Sequence, residues 1–148
     1  MPSYLARIVD AELDDLLQDA AAIALDGPKG VGKTATAARR ASTVIVLDDP
    51  LQRDLTLADL DAVLRRSPPV LLDEWQRLPQ TWDAVRRAVD RDDRPAQFLL
   101  TGSASPEGPA TPRQAGRILR VRMYPMLLAE RGRNRRPSRQ ACQTIDAG

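Results

Sequence analysis

A glycine-rich loop near the start of the chain holds the residues best suited to chemistry. Its sequence is Gly27-Pro28-Lys29-Gly30-Val31-Gly32-Lys33-Thr34. Glycines let a backbone curve so that its N–H groups point inward at an anion. A lysine and a hydroxyl residue at the end of such a loop suit a polyphosphate and the Mg²⁺ that accompanies it. The spacing G-x-x-x-x-G-K-T therefore predicts a phosphate-binding loop.

The residues on either side of this loop fit the prediction. An apolar run over 20–25 is typical of a buried strand, and residues 35–41 are mostly good helix formers. A helix that begins at the loop adds the positive end of its dipole to the anion site. We expect the backbone from Gly27 to Ala35 to cradle nucleotide phosphates, with Lys33 reaching the β- and γ-phosphates and Thr34 binding Mg²⁺. An ordinary glycine-rich turn before an exposed lysine is the alternative.

Two adjacent carboxylates follow a second apolar run. Residues 70–72 read Val-Leu-Leu, and Asp73 and Glu74 come directly after them. Ligands of open α/β sheets bind at the carboxyl ends of the strands, and adjacent strand residues point to opposite sides. We therefore expect Asp73 to hold Mg²⁺, directly or through a water, and Glu74 to polarise the attacking water. A strand followed by an acidic turn is the alternative.

Three more polar residues are weaker candidates. Thr101 and Ser103 end the next predicted strand, where a hydroxyl can hydrogen-bond a γ-phosphate or the attacking water. A plain strand-to-loop turn explains them equally well. Arg117 is a candidate for stabilising charge on the transferred phosphate, although the chain has 20 arginines and a solvent-facing role is the alternative.

The elements that must position these residues alternate along the chain. We predict strands over 20–25, 43–47, 70–74, 97–103 and 117–123, and helices over 9–18, 35–41, 54–66, 79–89 and 125–131. Residues 4–8 are interpreted as an N-terminal arm or as the lining of an adenine pocket. This pattern predicts an α/β fold, a three-layer P-loop NTPase sandwich with a mostly parallel five-stranded sheet and helices on both faces. The core is predicted to span 1–131, with a basic, disordered tail over 132–148.

Composition removes several function classes. The chain has one cysteine and no histidine, which excludes an internal disulfide and histidine chemistry. No apolar stretch approaches the ~20 residues of a membrane span, so we predict a cytoplasmic protein without a membrane partner. Residues 1–112 carry 13 basic and 18 acidic residues, a net charge of −5, whereas residues 113–148 carry a net charge of +7. The basic end suits nucleic acid or an acidic partner, or is a solvated tail.

Three of these segments together resemble the AAA+ superfamily: Gly27–Thr34, Val70–Glu74 and Leu99–Ser103. The segments 4–10, 100–105, 116–118 and 124–131 are similar to a prokaryotic subgroup of ATPases that carry a DUF4143 domain after the ATPase domain. The resemblance implies ATP and Mg²⁺ as cofactors, Lys33 and Thr34 as the Walker A pair, and Asp73 and Glu74 as the Walker B pair. It also implies that the Thr101 strand lies between the other two, with Thr101 or Ser103 at the sensor position.

The chain departs from that subgroup after residue 131. Members of the subgroup continue for a few hundred residues, so the resemblance implies that this chain is a truncated ATPase module without a helical lid. Lid residues and neighbouring subunits complete such sites in the family, which makes nucleotide binding a safer expectation than turnover.

The residues and the resemblance together predict Mg²⁺-dependent ATP hydrolysis, with self-association or a protein partner as further expectations. A P-loop small-molecule kinase is one alternative, and a non-catalytic nucleotide-binding remnant with a nucleic-acid-binding tail is another. GTP is disfavoured because the chain has no N-K-x-D base-reading motif.

Overall fold

The computed structural model describes residues 4–103 and 118–126 of the 148-residue chain. The described part contains five strands: β1 (Ala22–Gly27), β2 (Thr43–Val46), β3 (Val70–Asp73), β4 (Phe98–Ser103) and β5 (Ile118–Arg122). Its α-helices are α1 (Ile8–Leu16), α2 (Lys33–Ala38), α3 (Pro50–Ala58), α4 (Leu60–Leu64) and α5 (Gln80–Arg91), and a single 3₁₀ turn covers Trp75–Arg77.

The strands form one sheet in the order β2-β3-β4-β1-β5, and every neighbouring pair is parallel. The predicted α/β fold with a five-stranded sheet is therefore confirmed. The position of β4 between β1 and β3 also agrees with the family resemblance. This order places Thr101 beside Leu25 on one side and beside Asp73 on the other.

Alternating side chains of the central strands divide the core into two layers. On one face Ala22 and Ala24 of β1 pack with α4 and α5. On the other face Ile23 and Leu25 pack with α1 and α2. Strands that are buried on both faces read as continuous apolar runs, which is why β1, β3 and β4 were recognisable in the sequence. Helices on both faces of the sheet complete the predicted three layers.

The single helix predicted over 54–66 is wrong, because the chain forms two helices there. Asp59 has φ −151° and ψ 81°, which interrupts the helix, and its side chain accepts a hydrogen bond of 3.0 Å from the Ala62 backbone to cap α4. The first of these two helices, α3, starts earlier than predicted, at Pro50. Asp49 caps it, and proline suits the first helical position. Leu57, near the end of α3, is 52% exposed.

Other boundaries differ by a few residues, and the 3₁₀ turn after β3 was not predicted. Ile118–Arg122 forms the strand predicted over 117–123; it pairs with β1 and lies at an edge of the sheet. The helix predicted over 125–131 falls mostly outside the described residues. The tail over 132–148 also lies outside them.

Candidate active site

The glycine-rich loop connects β1 to α2 at the carboxyl end of the sheet. Gly30 (φ 85°) and Gly32 (φ 94°) adopt left-handed conformations that other residues rarely adopt. Gly27 is needed for a different reason, since a Cβ atom there would lie 2.5 Å from the Met123 carbonyl oxygen. The loop is thus shaped by backbone conformation and by close packing against the segment that follows β5.

Lys33 is turned into this loop. Its side chain is only 5% exposed, and its Nζ atom donates hydrogen bonds of 2.8 Å to the carbonyl oxygens of Gly27 and Pro28. A phosphate oxygen that enters the loop would replace neutral carbonyl oxygens with a charged acceptor, which gives a stronger hydrogen bond to an ammonium group.

Thr34, Asp73 and Thr101 meet beside the loop. The hydroxyls of Thr34 and Thr101 each donate a hydrogen bond of 2.6 Å to the same carboxylate oxygen, Oδ1 of Asp73. Asp73 is 6% exposed and Thr101 is fully buried. A hydroxyl and a carboxylate that lie side by side are hard oxygen ligands, which fit Mg²⁺.

Glu74 occupies a turn rather than a continued strand. Its backbone is left-handed (φ 58°, ψ 49°), and its N–H group lies 3.4 Å from the Thr101 hydroxyl. The Glu74 side chain is half-buried and accepts a hydrogen bond from the side-chain amide of Gln76. The turn separates the two carboxylates, because Asp73 faces Thr34 and Glu74 faces Gln76.

The N-terminal arm reaches the glycine-rich loop. The Arg7 guanidinium donates to the Val31 carbonyl at 2.5 Å and to the Tyr124 carbonyl at 2.8 Å. A cavity of about 540 Å³ lies between the arm and the loop. Its lining consists of Tyr4, Leu5, Arg7, Pro28, Lys29, Gly30, Val31, Gly32, Ala35, Thr36, Pro125 and Met126. The sequence placed Arg7 in the arm over 4–8, but its hydrogen bond to the loop was not predicted, since Arg7 is one of 20 arginines.

Tyr4 and Asp10 fasten this arm to α2. The Tyr4 hydroxyl lies 2.8 Å and 2.9 Å from the two carboxylate oxygens of Asp10 and 3.0 Å from the Thr36 hydroxyl. Arg40 forms an ion pair of 3.0 Å with Asp10, and the Arg39 guanidinium lies 4.1 Å above the Tyr4 ring. Burial opposes ionisation of Asp10, but hydrogen bonds from the Arg7 backbone and the Tyr4 hydroxyl, together with the Arg40 charge, lower its pKa overall.

Asp26 is an acidic residue at the end of β1, close to the anion site. Burial raises the pKa of its carboxyl group, although the charges of Arg120, Lys33 and Arg122 oppose that rise. The nearest of these cations, the Arg120 guanidinium, is 3.8 Å away.

The remaining candidates are more scattered. Ser103 lies at the end of β4, opposite Gly27 in the strand register, and is half-buried. Arg117 lies outside the described residues. The structure therefore brings Thr34, Asp73 and Thr101 together, with Lys33 turned into the adjoining loop and Glu74 at the adjoining turn.

The parallel sheet and the glycine loop between β1 and α2 define an α/β fold of the P-loop NTPase type. A family model described as an AAA domain matches residues 19–131. The chain therefore belongs to the AAA domain family and carries a nucleotide-binding domain of the AAA ATPase type. The narrower resemblance to ATPases with a DUF4143 domain stays a prediction.

Two curated relatives are similar to the chain, an uncharacterized protein of Mycobacterium bovis and an uncharacterized protein of Mycobacterium tuberculosis. Each is 35% identical over an alignment of 133 residues, and the match covers 85% of this chain and 30% of the relative. The chain thus spans about 30% of the length of these relatives. Within residues 4–103 and 118–126, no helix is long and apolar enough to cross a membrane.

Proposed function

We propose that this domain binds ATP together with Mg²⁺ and hydrolyses the ATP to ADP and phosphate. The observation that carries the proposal is the meeting of three elements at Asp73. Its Oδ1 atom accepts hydrogen bonds of 2.6 Å from Thr34, at the end of the phosphate loop, and from Thr101 on β4. Glu74 follows immediately in the chain, so phosphate, metal and water-activating groups would share one edge of the sheet.

Each residue has a distinct part in this proposal. Lys33 exchanges its two carbonyl partners for oxygens of the β- and γ-phosphates. Thr34 and Asp73 hold Mg²⁺, which supplies charge neutralisation for the phosphates when it is bound. Thr101 keeps the Asp73 carboxylate in place through its buried hydroxyl.

Glu74 would act on the attacking water. Glu74 orients the water and accepts a hydrogen bond from it while the water oxygen forms a bond to the γ-phosphorus. The bond between that phosphorus and the β–γ bridging oxygen breaks, and the bridging oxygen leaves with ADP. The proton of the water ends on the released phosphate.

We place the base of the nucleotide in the cavity of about 540 Å³ beside the loop. It adjoins the loop on the side of the N-terminal arm, and Tyr4 and Met126 contribute apolar surface to its lining. If a stabilising arginine comes from another subunit, the isolated domain hydrolyses ATP slowly. Such an arginine raises kcat by a factor of about 10³–10⁵.

Phosphate release from ATP and Mg²⁺ tests the proposal in three proteins. We expect the wild type to release phosphate. Lys33→Ala should lose ATP binding and hydrolysis together, because the phosphates lose their main cation. Glu74→Gln should retain ATP binding and lose most hydrolysis, because the amide cannot polarise water as a carboxylate does.

Fluorescent-nucleotide titration of the same three proteins separates binding from turnover. Equal phosphate release by the wild type and Glu74→Gln would remove Glu74 from the mechanism. Unchanged nucleotide affinity in Lys33→Ala would remove the loop from the binding site.

A further inference from the structure

The turn that follows Glu74 folds back onto it. The 3₁₀ turn over Trp75–Arg77 is closed by a backbone hydrogen bond of 2.9 Å from Arg77 to the Glu74 carbonyl. This turn, together with the left-handed backbone of Glu74, carries Gln76 back so that its side-chain amide donates to Oε2 of Glu74. The Glu74 carboxylate, which we propose acts on water, therefore accepts a hydrogen bond from the side chain of Gln76.

The carbonyl oxygen of the Gln76 amide lowers the stability of the fold, because a buried acceptor without a partner loses its hydrogen bonds to water. This Oε1 atom is buried and has no hydrogen-bond partner among the described residues. Rotating the amide by half a turn would aim that oxygen at the Glu74 carboxylate, where two acceptors would repel each other. The amide thus keeps an orientation that serves Glu74 and leaves its own oxygen unpaired.

Gly102 on β4 makes room for this arrangement. A Cβ atom at position 102 would lie 2.7 Å from Nε1 of Trp75 and 2.8 Å from Oε1 of Gln76. Both distances are too short for contact between atoms that are not bonded. The glycine next to Thr101 lets the turn lie directly on the strand.

We propose that Gln76 is a positioning residue that holds the Glu74 carboxylate for hydrolysis, and that Gly102 is the position that lets Gln76 do so. A glutamate side chain has several rotatable bonds and can adopt many rotamers. The hydrogen bond from Gln76 to one oxygen of Glu74 disfavours the rotamers that would point the carboxylate away from the water. The inference rests on the proposed ATPase function, and it assigns to Gln76 an effect on turnover without one on nucleotide affinity.

A double-mutant cycle tests this assignment. Gln76→Leu removes the amide donor and is made in the wild type and in Glu74→Gln. In the wild-type background we expect kcat for phosphate release to fall about tenfold or more, with the nucleotide Kd within about twofold. In the Glu74→Gln background we expect no further loss, because the group that Gln76 positions has already lost its function.

Two of three further variants, at Gln76 and Gln80, control for a general effect of losing an amide, and the third tests Gly102. Gln76→Met keeps an unbranched side chain and should behave as Gln76→Leu does. Gly102→Ala should lower kcat through displacement of Gln76 and Trp75. Gln80→Leu makes the same amide-to-alkyl change at an exposed position at the start of α5, and it should leave kcat unchanged.

The outcomes separate the two proposals. Full activity of Gln76→Leu and Gln76→Met, or a loss that is equally large in the Glu74→Gln background, would overturn the role of Gln76 while the ATPase function stands. If the wild type itself releases no phosphate, the proposed function fails and the role of Gln76 fails with it. Thermal unfolding of every variant shows whether a fall in kcat reflects unfolding.

Discussion

Asp73 depends on two hydroxyl donors that meet at one of its oxygen atoms. Thr34 comes from the loop and Thr101 from β4, each at 2.6 Å from Oδ1. Because Asp73 is only 6% exposed, water offers it little compensation for a lost donor. Without them the carboxylate would be held less firmly, and the proposed Mg²⁺ site would be weakened.

This dependence gives a prediction at Thr101. We expect Thr101→Val to reduce the free energy of unfolding by about 1–3 kcal/mol, because a buried carboxylate loses a partner while the side-chain shape is kept. Thr101→Ser keeps the hydroxyl and loses only a methyl group. Urea unfolding compares the two, and the concentration of Mg²⁺ needed for half-maximal phosphate release should rise for the valine variant alone. Equal behaviour of the two variants would contradict the role given to the hydroxyl.

The sequence predicted the approach of Lys33, Thr34 and Asp73, because strand ends and loop spacing determine where their backbones lie. The contact of Gln76 with Glu74 could not be predicted from the sequence. That contact depends on a left-handed residue and a 3₁₀ turn after β3, and Glu-Trp-Gln-Arg carries no glycine or proline that would mark such a turn. The sequence predicted for Thr101 a contact with the γ-phosphate or the attacking water, and that role stays a prediction. Its hydrogen bond to Asp73 was not predicted and follows from the side-by-side register of β3 and β4.

At the scale of elements, the glycine-rich loop packs against the segment that follows β5. Met123 donates a backbone hydrogen bond of 2.7 Å to the Asp26 carbonyl, and its side chain is 1% exposed. The close contact at Gly27 extends this pairing into the loop. Edge strand and loop therefore form one packed unit.

Gly27→Ala tests that unit. An added methyl group would lie 2.5 Å from the Met123 carbonyl oxygen, so the loop or the strand must move. We expect a loss of about 1–3 kcal/mol in the free energy of unfolding, together with weaker nucleotide binding. Lys29→Ala, at an exposed position in the same loop, should stay within about 0.5 kcal/mol of the wild type. Urea unfolding measures both, and equal values would show that the close contact relaxes without cost.

Elements with long apolar patterns were the most predictable. The strands β1, β3 and β4 are buried on both faces and were visible as apolar runs. The break between α3 and α4 was missed because apolar spacing alone cannot register a single capping residue. Asp59 takes a non-helical backbone conformation and caps the next helix, while leucines on both sides maintain the helical period.

At the scale of the whole molecule, α1 is attached to α2 through charge as well as through apolar contacts. Asp10 receives hydrogen bonds from the Arg7 backbone at 2.6 Å and from the Tyr4 hydroxyl, and it pairs with Arg40. Its pKa is lowered from the ordinary value of 3.8 despite the opposing effect of burial. A carboxyl group whose pKa is lowered by folding stabilises the fold at pH values above its ordinary pKa. This contribution disappears as the pH falls through the pKa of the folded state.

We therefore expect Asp10→Asn to unfold at lower urea concentration than the wild type near neutral pH. The difference should narrow in acid below the ordinary carboxyl pKa of 3.8, because the wild-type carboxylate then takes up a proton as well. Asp15→Asn changes an exposed carboxylate of the same helix and should have little effect at either pH. A difference for Asp10→Asn that is independent of pH would mean that hydrogen-bond geometry, and not charge, is what the aspartate contributes.

The attachment of α1 also affects where this domain can be divided. The family match begins at residue 19, after α1 has ended. Leu13 is fully buried against the same side of the sheet as Ile23 and Leu25, and Arg7 bridges the loop to the segment after β5. A chain cut at residue 19 would retain all five of the described strands yet expose this apolar face and lose the bridge. Anyone who transplants or truncates the domain should place the cut before Tyr4, because the shared family segment is shorter than the unit that folds.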